Sequence, residues 1–165
     1  SYQPVTSPEV IEKFSKAWGL ITKEESEKMK DEKERWLEKP ELQDLKNRTS
    51  DFALRVIRMY TRLPKTTEAQ VIGKQVLRSG TSVGAQYREG HRAKSDADVI
   101  SKFEGVLQEL DETDYWLNLL VRAEIVSADK MSPLIQETNE LIAIFVSIVT
   151  KIKARINKPK KKGDE

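Results

Sequence analysis

The chain has no cysteine among its 165 residues. Disulfides, zinc–thiolate sites and cysteine nucleophiles are thereby excluded, and a reducing compartment suits it. It has one histidine, His91, and an arginine at position 88 three residues earlier. The Glu-x-x-His pairs that build di-iron centres in helix bundles therefore cannot form, and neither metal nor cofactor is expected. Aromatics make up 7% of the chain, too few to interleave with its basic residues as base-stacking platforms. The longest apolar run, Leu141 to Val149 broken by Ser147, is nine residues, against roughly 18–20 for a membrane-spanning helix. The N-terminal residues lack the basic and then apolar profile of a secretory leader. A cytoplasmic location is expected, with the Asn47-Arg48-Thr49 sequon coincidental. No glycine-rich phosphate loop follows a strand, and nothing predicts a cleft that would turn Asp111, Glu112 or Asp114 into an acid–base pair. The expectation is a protein that is not an enzyme.

What is present is helical periodicity, and the fold class it predicts is all-α. Ser7-Pro8 opens a short helix closed by Gly19, and Thr22 with Glu25 caps a charged second one ending near Pro40. Residues 1–44 read as a helical appendage, 45–156 as an antiparallel up-down four-helix bundle, and 157–165 as a basic disordered tail. The first bundle helix, about 47–62, turns Phe52, Ala53, Val56, Tyr60 and Leu63 to one side. Pro64 stops it, and Thr67 with Gln70 forms a capping box for the second, about 67–92. Ser95 caps the third, about 96–124, whose core stripe runs Val99, Phe103, Val106, Leu110, Thr113, Leu117 and Leu120. The fourth starts after Ser127, or at Ser132-Pro133, and runs to about Ile156.

In the second helix Gly73, Gly80 and Gly84 fall along one side with Val76, Val83 and Tyr87. Each glycine costs a helix about 1 kcal/mol relative to alanine, so a close backbone approach is expected to repay them. The fourth helix is apolar nearly all round through Ile142, Ile144, Phe145 and Val149, more than one bundle core covers. Self-association through those residues and Trp116 is therefore expected. For Trp116 and its neighbour Tyr115, core or protomer contact is the expectation over a ligand cage.

Charge is uneven. Residues 1–45 hold 8 Lys and Arg against 11 Asp and Glu, and residues 46–165 hold 21 against 16. Arg48, Asp51, Arg55, Arg58 and Arg62 follow one another at spacings of three and four on the first bundle helix, so that four arginines share one stripe, and Lys74, Arg78, Arg88 and Arg92 line the second, with Lys94 beyond it. Such stripes can track a phosphate backbone by shape and charge, with weak sequence preference and strong salt dependence. They can equally be solvated faces, or partners for the acidic third helix. His91 is expected to serve the helix dipole or the phosphate-facing surface. The run Lys151 to Lys162 holds seven cations and no acid, and adds either non-specific affinity or solubility.

Five motifs carry a family resemblance across residues 44–155. They are Phe52-Ala53-Leu54-Arg55-Val56-Ile57, Leu63-Pro64-Lys65-Thr66-Thr67-Glu68-Ala69, Arg78-Ser79-Gly80-Thr81-Ser82-Val83-Gly84-Ala85, Asp111-Glu112-Thr113-Asp114-Tyr115-Trp116-Leu117 and Glu140-Leu141-Ile142-Ala143-Ile144-Phe145. The chain resembles the bacterial four-helix-bundle proteins encoded in intervening sequences of 23S ribosomal RNA genes, the S23-type proteins. That family is also similar to the accessory variability determinant of diversity-generating retroelements, which works with a reverse transcriptase. The resemblance implies a homopentameric bundle that binds RNA or DNA as accessory to a nucleic-acid enzyme. Gln86 stands where the family commonly has Asn before the Tyr, and residues 1–44 have no counterpart in it. That segment is where a protein partner would dock, and a protein-binding scaffold is the alternative function.

Overall fold

The structure, a computed structural model, describes residues 40–157, with side chains from residue 44. The helices expected before Pro40 and the basic tail after Asn157 lie outside the described residues. Four helices follow one another: α1 (Pro40–Thr61), α2 (Thr67–His91), α3 (Asp96–Arg122) and α4 (Ala128–Ile156). The described residues are all-α and form an up-down four-helix bundle. Antiparallel neighbours are fixed by Gly80 against Val56 and Gly84 against Thr49, by Ser79 against Thr113 and Gly90 against Phe103, and by Asn139 against Asp114.

Local chemistry explains most of the boundaries. α1 starts at Pro40, where the missing N–H costs nothing. This is seven residues earlier than the periodicity suggests, so the expected 44/45 division falls inside a helix, with Leu45 fully buried. Ser95 accepts from the Asp98 N–H, and Ser127 from Lys130. Ser127 is therefore the start of α4, and Pro133 sits in its second turn. The Thr67–Gln70 capping box does not form. Thr66 is the N-cap and makes no side-chain cap bond. Gln70 instead donates to the Pro64 carbonyl at 2.8 Å and accepts from the Tyr60 hydroxyl at 3.0 Å, clasping the α1–α2 turn.

The core follows the expected stripes. Every residue of the α3 stripe from Val99 to Leu120 is buried. Tyr87, Phe103 and Phe145 meet at its centre with ring centroids 5.4–5.9 Å apart, and burial pushes the Tyr87 phenol pKa up. The glycine seam of α2 faces α1. A Cβ on Gly80 would lie 2.7 Å from a Val56 methyl, closer than the two helices permit. Ile144, Phe145 and Val149 are buried inside the single subunit. The inference that these three must be covered by another copy is corrected: the α1–α3 packing around α4 takes them in.

Candidate nucleic-acid interface

The basic stripe of α1 is divided by the way α1 meets α4. At its N-terminal half Arg48 bridges the seam, its Nε 2.6 Å from Glu137 and an Nη 2.5 Å from Glu140. Glu137 and Glu140 are three residues apart, hence neighbours on one helix face. Hydrogen bonding to Glu137 holds the guanidinium pKa up against burial. Arg78 of α2 is engaged in the same way by Glu109, at 3.2 Å, and Glu112 of α3. Arg48 and Arg78, both expected to face phosphate, are thus neutralised by two carboxylates each. The pairing alternative holds for them.

Further along α1 the seam opens. Between the C-terminal half of α1 and the start of α4 lies a cleft of about 680 Å³. Arg55, Arg58, Arg62 and Lys130 line it, and no acid does. Among the described residues none of the four has a carboxylate partner. Its apolar wall includes Met59, Leu63, Ile125, Val126, Met131 and Leu134. Ile125 and Val126 are placed by the α3–α4 turn. There the Ile125 N–H bonds to the Leu120 carbonyl and Glu124 to Val121, while Glu124 takes a φ of 60°. This is a Schellman closure with glutamate where glycine is usual.

The other unpaired cations are elsewhere. Arg88 is half-buried and donates to the Ser50 hydroxyl at 3.1 Å, while Arg92 and Lys94 are exposed at the opposite end of the bundle. Lys74 is exposed on α2. The structure therefore brings together Arg55, Arg58 and Arg62, places Arg88, Arg92 and Lys94 at the far end, and pairs Arg48 and Arg78 with carboxylates, Arg48 half-buried and Arg78 exposed. Lys130 and the apolar wall were missed by sequence reasoning. The carboxylate pairs left a readable signal in their three-residue spacing; the cleft left none, because it forms between α1 and α4, which are far apart in sequence.

His91 is the last residue of α2. Burial lowers its pKa, and the charges of Lys46 and Arg92 lower it further. Its Nδ1 is buried without a hydrogen-bond partner among the described residues. No three His, Asp or Glu side chains converge as a metal site among the described residues. No helix there is long and apolar enough to cross a membrane.

Residues 42–147 match the family model described as 23S rRNA-intervening sequence protein. The chain belongs to that family. A solved structure from Bacteroides thetaiotaomicron VPI-5482, a protein with unknown function from the S23 ribosomal protein family, is 36% identical with a TM-score of 0.62. The alignment covers 66% of this chain and 97% of that one. No curated protein matches in sequence. In this 23S rRNA-intervening sequence protein the matched span contains both carboxylate-gripped arginines and the whole cleft. Residues 1–41 lie outside it. Gln86 rests its amide over Gly105 of α3, where an added Cβ would meet its Oε1.

Proposed function

We propose that this family member is a non-enzymatic, cytoplasmic nucleic-acid-binding protein. In this reading it works as a homopentamer and serves as accessory to a nucleic-acid enzyme such as a reverse transcriptase. The observation that carries the reading is the cluster of Arg55, Arg58, Arg62 and Lys130, which has no acid in its wall and no carboxylate partner among the described residues. Fixed cations without counter-charge release condensed ions when they meet phosphates, so affinity rises with the number of contacts and falls steeply with salt. A ring would repeat a modest cluster several times on one surface. Among the cleft's lining residues Ser127 alone bears a hydroxyl, and none is a carboxylate or an imidazole, which favours binding over catalysis.

The test is a titration of the full chain against structured RNA and duplex DNA at two salt concentrations. Binding that weakens steeply with salt is expected. Absence of binding near physiological salt would overturn the reading in favour of a protein-binding scaffold docking its partner through residues 1–44. Light scattering tests the assembly, and a monodisperse monomer would overturn the ring.

A further inference from the structure

The cleft has two chemistries side by side, and a polyanion reader needs only one of them. Arg55, Arg58 and Arg62 follow one another at spacings of three and four residues, which sets them about 4.5 and 6 Å apart along the helix axis. That is a ladder on the scale of neighbouring phosphates. A ladder on a convex helix face would suffice for a duplex backbone. Here it borders a concavity walled by Met59, Leu63, Ile125, Val126, Met131 and Leu134, with Lys130 on the α4 side. A volume of about 680 Å³ lies within the range of small-molecule sites. Duplex DNA offers such a cavity nothing to fill it, since its bases are stacked inside.

We propose that this cleft binds a nucleoside phosphate: an unstacked base against the apolar wall, its phosphate on Arg58, Arg62 and Lys130. The inference rests on the nucleic-acid reading and narrows it from a charged surface to a site for an unpaired nucleotide. Charge complementarity selects the phosphate, because four cations line the cleft and no carboxylate does. The apolar wall selects the base, whose faces are the part of a nucleotide that loses least on leaving water. Guanidinium planes can stack on that base as well as bond its phosphate, which compensates for the absence of aromatics among the lining residues. The nucleotide could be free or the end of a strand, and the two sources are separable.

The experiment compares three probes against the full chain: a duplex with a short 5′-phosphorylated single-stranded overhang, the same duplex blunt-ended, and a nucleoside 5′-monophosphate. The overhang is expected to bind about tenfold more tightly than the blunt duplex, the effect of one added charge-assisted hydrogen bond. Val126→Glu, which puts a carboxylate into the wall at a half-buried position, should erase that preference. The double variant Arg58→Gln/Arg62→Gln, at exposed positions that do not endanger folding, should do the same. Lys74→Gln/Lys94→Gln, removing equal charge elsewhere, should lower affinity for both duplexes alike. Equal binding of overhang and blunt end, or a preference that survives Val126→Glu and the double arginine variant, overturns the cleft while leaving the polyanion reading intact. Monophosphate binding that Val126→Glu abolishes, with no polymer bound, upholds the cleft and overturns the polymer reading. If no probe binds, both fall.

Discussion

The Arg48 guanidinium sits 2.6 Å from Glu137 across the seam between α1 and α4, and this contact decides which arginines of the stripe remain available. With Glu140 also in reach, the Nε and one Nη of Arg48 are committed to carboxylates and tie it to the fold. Three residues of the same stripe, from Arg55 onward, have no such partner among the described residues. Arg48→Gln is expected to destabilise the bundle by about 1–3 kcal/mol, because it leaves two half-buried carboxylates without their cation. It should change salt-dependent nucleic-acid binding little. Arg55→Gln/Arg58→Gln/Arg62→Gln should do the reverse, flattening the slope of log affinity against log salt by about 0.9 for each phosphate that is no longer neutralised. Denaturant midpoints and titrations at several salt concentrations measure both, and a steeper fall in binding from Arg48→Gln would refute the division.

Gly80 and Gly105 look alike in sequence and should respond oppositely to alanine. At Gly80 the added Cβ meets the branched Val56 side chain at 2.7 Å, and Val56 is fully buried with nowhere to turn. The overlap should outweigh the helix-propensity gain, for a net loss of about 1–3 kcal/mol. Val56→Ala in the Gly80→Ala background should recover part of it, which a double-mutant cycle reads directly. At Gly105 the obstacle is the far end of the Gln86 side chain, which can swing away. Gly105→Ala is expected to be neutral or stabilising in the same melt.

Two half-buried titrating groups give the stability curve opposite slopes. His91 has its pKa lowered by burial and by the charges of Lys46 and Arg92, so the unfolded chain takes up its proton first. Stability from this group is fully present above the unfolded value of about 6.5 and is lost as pH falls below it. Asp114 is raised, by burial first and Asp111 next, against hydrogen bonds from Asn139 and Asn118. Its contribution is fully present below the unfolded value and is lost as pH rises through the raised one. His91→Gln should therefore flatten the loss of stability on going from pH 7 to pH 5. Asp114→Asn should stabilise most at neutral pH and least in acid. Thermal melts across that range check both, and an unchanged pH profile for His91→Gln would show that the imidazole is solvated in the native state.

Much of the bundle was readable because burial imposes period. The α3 stripe from Val99 to Leu120, the glycine seam of α2 and the caps at Ser95 and Ser127 are local patterns, and each appears where the spacing puts it. The start of α1 was misjudged because Pro40 reads as a terminator when it follows a helical segment and as an initiator when it precedes one. The site was legible only as a list of cations. Whether a given arginine faces solvent or a carboxylate depends on which helix lies opposite, so Arg48 and Arg78 could not be told from Arg58 and Arg62 by type or period. The cleft lies between two helices that are far apart in sequence, and its Ile125 and Val126 come from a turn whose closure depends on Glu124 accepting a positive φ.

The same ambiguity affects the proposed assembly. All-round apolarity of α4 pointed to Ile144, Phe145 and Val149 as contacts between copies, yet one subunit buries all three. What it leaves uncovered is narrower. Val146 is 47% exposed, Ile142 is half-buried, and on α3 Tyr115 is 58% exposed beside Trp116, whose indole Nε1 is buried with no acceptor among the described residues. If a ring forms through this remainder, Val146→Glu should dissociate it while leaving the helical content and melting of the subunit nearly intact, since a surface substitution away from the core costs within about 0.5 kcal/mol. Phe145→Ala should instead unfold the subunit, losing about 3–5 kcal/mol of core packing against Tyr87 and Phe103. Light scattering combined with circular dichroism separates the two outcomes. An oligomer unaffected by Val146→Glu would remove this face from the interface and require the ring to close elsewhere.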